Sequence, residues 1–180
     1  MGSFPPLITE RLILRRLGDA DAGDFYAYRR LAGVCRYQTF KPMRIQDAHA
    51  FIAALAPDPG VPGTWFQLAV CLKESGALIG DIGMHFMDGV AAEIGFTLDP
   101  RFQKKGYGSE AAEAAILYLF EEYGAKRVFA VVDRANEASM RLVGKLGMKK
   151  CARDLFPADT DESEGVYMLS ADAFSARRGM

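Results

Sequence analysis

Cysteine is scarce in this chain. Cys35, Cys71 and Cys151 are odd in number and widely spaced, and no Cys-x-x-Cys pair occurs. A zinc site is therefore not expected, and the thiols read as reduced, structural groups of a cytoplasmic protein. His49 and His85 have no ligand-like neighbours in the sequence, so no metal is expected at all. No apolar run is long enough to span a bilayer and the start lacks a signal-peptide core, which argues against a membrane partner. The net charge of −1 excludes a nucleic-acid footprint spread over the whole surface. Repeats and low-complexity segments are absent.

What is there suits one ordinary globular unit. Of 180 residues, 50% are hydrophobic and 25% charged, enough for a continuous core, so residues 1–180 are read as a single domain. Arg11–Leu17 mixes apolar and basic residues and predicts an opening strand. Asp19–Leu31 and Asp47–Leu55 predict two helices, the second stopped by the Pro/Gly cluster from Pro57 to Gly63. Trp65–Leu72, Ala77–Phe86 and Ala91–Leu98 predict strands, joined by turns at Lys73–Gly76 and Asp88-Gly89, hence an antiparallel meander.

The pattern then changes period. Ala112, Ala115, Ile116, Leu119, Phe120 and Tyr123 fall on one face of a helix over 107–123, which Gly124 ends. Arg127–Val132 predicts a strand and Asn136–Leu146 a helix, with strands at Met148–Leu155 and Gly165–Ser170 closing the chain. The stretch Asp159–Glu164 reads as a solvated acidic loop. Strand 91–98, helix 107–123 and strand 127–132 form a crossover, which places the two strands in parallel.

The junction Gln103-Lys104-Lys105-Gly106-Tyr107-Gly108 carries the chemistry. A strand, a Gly-containing loop and a helix N-terminus in that order make an anion site, because the first helical N–H groups have no internal partner and the macrodipole adds positive charge. No P-loop string is present, and Gly106-x-Gly108 alone is not a dinucleotide fingerprint. The string is instead Gln-x-x-Gly-x-Gly, similar to motif A of the GNAT superfamily of acyl-CoA-dependent N-acetyltransferases.

Other segments extend the resemblance from about residue 7 to residue 170. Thr9-Glu10-Arg11-Leu12-Ile13-Leu14-Arg15 resembles the opening strand of the RimJ/RimL-type enzymes, and Glu93–Pro100 resembles their central strand. Asn136-Glu137-Ala138-Ser139, followed by Lys145-Leu146-Gly147-Met148, resembles their motif B. The resemblance implies a mixed α/β fold: a twisted sheet of six to seven strands, about four helices, and a V-shaped gap between the parallel strands that takes acetyl-CoA. It places the pyrophosphate on the loop amides of Lys104, Lys105, Gly106, Tyr107, Gly108 and Ser109 after Gln103. The pantetheine arm would pair with the strand near Phe96 and Leu98, and Asn136 and Ser139 would approach the thiol end. An amine acceptor, either a peptide N-terminus or a small molecule, and a monomer or homodimer are the expected partners.

Two residues stand out for catalysis. Alternation puts Glu93, Gly95 and Thr97 on one strand face, where Glu93 serves as a base through water or merely as a carboxylate that attracts a cationic amine. Many superfamily members carry a tyrosine acid seven positions after the motif B asparagine. Here that position is Val143, and the resemblance to RimL-type enzymes passes the role to Ser139. Ser139 is otherwise a backbone-bonded helix serine. Tyr37, Trp65 and Phe86 either line the acceptor side or belong to the core. Acetyl transfer to a primary amine, with a protein N-terminal α-amine favoured, is the expected activity. A small-amine or antibiotic acetyltransferase and a non-catalytic acyl-CoA-binding module are the alternatives.

Overall fold

A computed structural model describes residues 4–87, 90–156, 158 and 160–179. The turn expected at Asp88-Gly89, and Asp159 of the acidic stretch, lie outside them. Among the described residues one mixed sheet contains β1 (Leu7–Ile8), β2 (Leu12–Arg16), β3 (Thr64–Leu72), β4 (Leu78–Phe86), β5 (Ala91–Leu98), β6 (Arg127–Asp133), β7 (Lys149–Lys150) and β8 (Glu164–Ser170). Their order across the sheet is β1-β2-β3-β4-β5-β6-β8-β7. The meander β2 to β5 is antiparallel throughout, and β5 and β6 run parallel.

Two layers of helix cover this sheet. On one face α4 (Tyr107–Glu121) buries Ala111, Ala112, Ala115, Ile116 and Leu119 against Leu12, Leu14, Phe66, Met84, Ile94 and Val128. The alternation of each strand puts these residues on a common side. Removing a side chain such as Leu119 costs about 2–5 kcal/mol by the usual cavity arithmetic. The same face receives α5 (Glu137–Lys145) and α6 (Ala171–Arg178). On the other face α1 (Ala22–Arg29) and α3 (Ile45–Ala54) bring Phe25, Tyr28 and Ile52 against Ala69 and Cys71, and α2 (Ala32–Cys35) packs beside α1.

Among the described residues the sheet has eight strands rather than six or seven, and there are six α-helices rather than about four. The additions are short or terminal: β1, β7, α2 and α6. The strand expected at Met148–Leu155 shrinks to Lys149–Lys150. Past that point Arg153 donates to the carbonyls of Thr160, Asp161 and Glu164, and residues 153–155 coil into a 3-10 turn that cannot continue a ladder. Beneath α1, Asp81 of β4 is fully buried, with the Tyr28 hydroxyl at 2.6 Å and Arg29 Nη2 at 2.5 Å, and Gln67 also donates to it. Burial and the adjacent Asp81 charge push the Tyr28 phenol well above its ordinary range.

Candidate active site

The parallel strands β5 and β6 are paired at Ala91↔Arg127, Ala92↔Val128 and Glu93↔Phe129. Beyond Glu93 they have no register partners in each other, although β5 continues to Leu98 and β6 to Asp133. The strands therefore splay and leave one edge of β5 open. An open edge offers N–H and C=O groups to an extended, amide-bearing ligand. A cleft of about 640 Å³ occupies this gap, lined by Phe96, Leu98, Gln103, Lys104, Gly106, Gly108, Ser109, Asn136 and Ser139 among others.

One end of the cleft is the start of α4. Asp99 accepts from the backbone N–H of Arg101 and turns the chain out of β5. Gln103 Nε2 then donates to the Leu98 carbonyl at 3.0 Å, latching the loop to the strand. Gly106, at φ +86°, takes a left-handed conformation that costs a side-chain-bearing residue about 1–2 kcal/mol. No side chain caps α4 there, and the backbone N–H groups of Lys104 to Ser109 have no acceptor among the described residues. That is a row of free donors at a helix N-terminus.

Arg11 braces this loop from behind. Its Nη1 donates to the Lys105 carbonyl at 3.0 Å, its Nε to Glu110 Oε2 at 2.7 Å, and its guanidinium lies 4.5 Å from the centre of the Tyr107 ring. The Thr9 hydroxyl donates to the other Glu110 oxygen at 2.6 Å. Burial works to raise the Glu110 pKa, but the hydrogen bonds from Thr9 and Arg11 outweigh it and hold the carboxyl below its ordinary value. The Lys105 ammonium sits over Phe102. Lys105 and Tyr107 do not line the cleft, unlike Lys104, Arg141 and Lys145.

The opposite wall is the start of α5. Asn136 caps this helix, its Oδ1 accepting from the Ser139 N–H at 3.1 Å. The Ser139 hydroxyl has no hydrogen bond among the described residues and faces the cleft. Val143, where a tyrosine acid was absent from the sequence, is buried in the core. Tyr37 ties the loop after α2 to this wall through its hydroxyl, which donates to the Ala135 carbonyl at 3.2 Å.

A second cavity of about 380 Å³ continues on the far side of Phe96, Asn136 and Ser139, and its lining includes Trp65, Glu93, Gly95, Asp133 and Glu164. Its charged lining residues are all acidic. Trp65 and Tyr37 belong to the lining, whereas Phe86 is wholly buried edge-on against Tyr123. A Cβ on Gly83 would meet Trp65 at 3.0 Å, so the bare glycine is what lets the indole lie down on the sheet. Trp65 stacks on His85 with ring centres 4.9 Å apart and planes 12° apart, and His85 Nδ1 is 3.6 Å from Glu93 Oε2.

Three features escaped the reading of the sequence: the Arg11 brace, His85, and Gln38. Gln38 lines both cavities while its Oε1 accepts from Arg29 Nη1 at 3.1 Å. Only His85 left a usable signal, since pairing the strands around residue 89 sets 85 opposite 93. Among the described residues, no group of three His, Cys, Asp or Glu side chains is placed to hold a metal ion, and no helix is long and apolar enough to cross a membrane.

The model of the acetyltransferase (GNAT) domain matches residues 11–149. An uncharacterized N-acetyltransferase, YoaA of Bacillus subtilis, is 34% identical over 154 residues, which cover 82% of this chain and 84% of that protein. A crystal structure of a GNAT-family acetyltransferase from Bacillus anthracis superposes with a TM-score of 0.79 at 25% identity, over 93% of this chain and 99% of the other. The aminoglycoside acetyltransferase AAC(6')-Ib, solved with coenzyme A, shares the fold at a TM-score of 0.73 and 16% identity, over 93% of this chain and 99% of that one.

Proposed function

The chain belongs to the GNAT acetyltransferase family and is an acetyl-CoA-dependent acyltransferase, and from that premise we propose that it acetylates primary amines, a protein N-terminal α-amine foremost, in the manner of RimJ/RimL-type enzymes. Bound acetyl-CoA supplies the activated acetyl thioester. The residues present fit it: free amides at Lys104 to Ser109 suit the pyrophosphate, and the open edge of β5 at Phe96 and Leu98 suits the amide-bearing arm.

The observation that carries the acceptor side is the placement of Glu93. Its carboxylate faces an acid-lined cavity that meets the cofactor cleft at Phe96 and Ser139. Glu93, Asp133 and Glu164 attract an ammonium ion, and Glu93 takes its proton through water. An α-amine, with a pKa of about 7.7–8.0, yields that proton to a weak base far more readily than a lysine at about 10.4. On the other side Ser139, whose hydroxyl has no hydrogen-bond partner among the described residues, donates to the departing sulfur. A small cationic amine is the second reading, favoured by the Trp65 indole on the cavity floor.

Release of CoA thiol in the presence of acetyl-CoA tests this directly. Peptides with free N-termini, the same peptides blocked, and small diamines are offered in parallel. Turnover with free N-termini alone supports the first reading, and turnover with diamines alone replaces it with the second. No turnover with any amine contradicts both and leaves a binding module.

A further inference from the structure

We propose that His85 is a positioning residue for Glu93, holding its carboxylate toward the acceptor cavity through an Nδ1–H donor. The inference rests on Glu93 being the proton acceptor of the proposed reaction.

His85 and Glu93 are direct cross-strand partners in the antiparallel pair β4–β5 and stand on the same face of the sheet. Their nearest atoms, Nδ1 and Oε2, are 3.6 Å apart, in ion-pair range and a little beyond a hydrogen bond. His85 Nδ1 is buried and has no hydrogen-bond partner among the described residues. An imidazole nitrogen bearing only a lone pair would face a carboxylate oxygen that also bears only lone pairs, and such a contact is repulsive. A proton on Nδ1 turns it into an attraction, and the Glu93 oxygen is the acceptor at hand. The neutral ring in its Nδ1–H form and the imidazolium both meet this requirement.

The ring is itself held. Trp65, its cross-strand partner on β3, stacks on it nearly parallel. His85 does not line the cavity, whereas Glu93 does, so the imidazole acts on the acceptor only through the carboxylate. The other titratable groups lining the cavity are Tyr37 from the loop after α2, Asp133 at the end of β6 and Glu164 at the start of β8; further along the same face Asp81 is already held by Tyr28 and Arg29, and Arg127 of β6 lies by the Phe129 ring. None of the groups lining the cavity is a cation, and His85 is the donor placed directly against Glu93.

Two measurements test this. The chain has 2 histidines, so a His49→Gln background leaves His85 as the single imidazole for nitrogen-15 NMR. The Nδ1–H form is expected in the wild-type site, and Glu93→Leu, which removes the acceptor, is expected to release the ring to its Nε2–H form. A wild-type ring protonated at Nε2 alone, or an Nδ1–H form that persists in Glu93→Leu, overturns the pair whether or not the protein acetylates anything. In turnover, His85→Phe keeps the stack on Trp65 and loses the donor. It is expected to lower kcat about 10- to 100-fold with the KM for acetyl-CoA unchanged, as for a misplaced catalytic group. His85→Asn, whose amide N–H falls near the Nδ1–H position, is expected to restore most of kcat. Wild-type kcat in the phenylalanine variant at equal melting temperature overturns the positioning role. A wild-type protein inactive toward every amine contradicts the function proposed above, and the NMR measurement then still decides the pair.

Discussion

Asp81 and Glu93 are two carboxylates on one face of the same strand pair, β4–β5, and they live in opposite conditions. Asp81 is fully buried beneath α1 and is held by Tyr28, Arg29 and Gln67. Glu93 is part-buried at the mouth of the β5–β6 gap, with His85 beside it and no hydrogen bond to its carboxylate among the described residues. A buried carboxylate whose acceptor sites are filled has been committed to structure. One that faces a cavity with those sites open retains its capacity for a ligand. The two are also linked, because Arg29 holds both Asp81 and Gln38, and Gln38 lines the cleft.

The largest effect expected from breaking this contrast is on stability. Asp81→Ala leaves the Arg29 guanidinium buried without its counter-ion and is expected to cost about 3–5 kcal/mol in denaturant unfolding. Glu93→Gln is the converse. It is expected to leave the unfolding midpoint and acetyl-CoA binding unchanged while lowering kcat about 100-fold or more, as the loss of a general base does. Similar stability losses for both variants would erase the distinction.

Arg11→Ala is a smaller perturbation. Without the brace the 104–109 loop loses its fixed curvature, and the Kd for acetyl-CoA is expected to rise about tenfold, equivalent to 1.4 kcal/mol, as read by calorimetry. An unchanged Kd would mean that the loop keeps its shape unaided. Smallest is the acid response. Glu110 and Asp21 have pKa values below the ordinary carboxylate range, in both cases because hydrogen bonds from arginine and other donors outweigh an opposing burial effect. A carboxylate lowered in the folded state contributes stability that is complete above its unfolded pKa and drains away as pH falls through the folded one. The melting temperature is therefore expected to fall on acidification below about pH 4.3, and Glu110→Gln is expected to flatten part of that fall.

Local pattern made much of the fold legible. The apolar positions of 107–123 predicted α4 and its buried face, and the turn residues predicted the meander, because both depend on neighbours a few residues apart. The ends of the sheet were not legible. The pairing of Leu7–Ile8 with β2 and the coiling of 153–155 depend on long-range partners, and no periodicity marks α6. The site divides in the same way. The loop 103–109 and the cap Asn136 announce themselves in sequence, since glycine and capping chemistry are local. The Arg11–Glu110 contact spans 99 residues, and no spacing rule reports it. His85 falls between these cases: it looked inert as a metal ligand, yet the hairpin register alone places it opposite Glu93.

Thermal unfolding with acetyl-CoA, against ATP and NAD as controls, probes most directly whether the β5–β6 gap and the 104–109 amides form an acyl-CoA site. Acetyl-CoA at 100 times its Kd is expected to stabilise the protein by about 2.7 kcal/mol, with no shift from either control. No shift with acetyl-CoA, or an equal shift with ATP, would contradict that assignment.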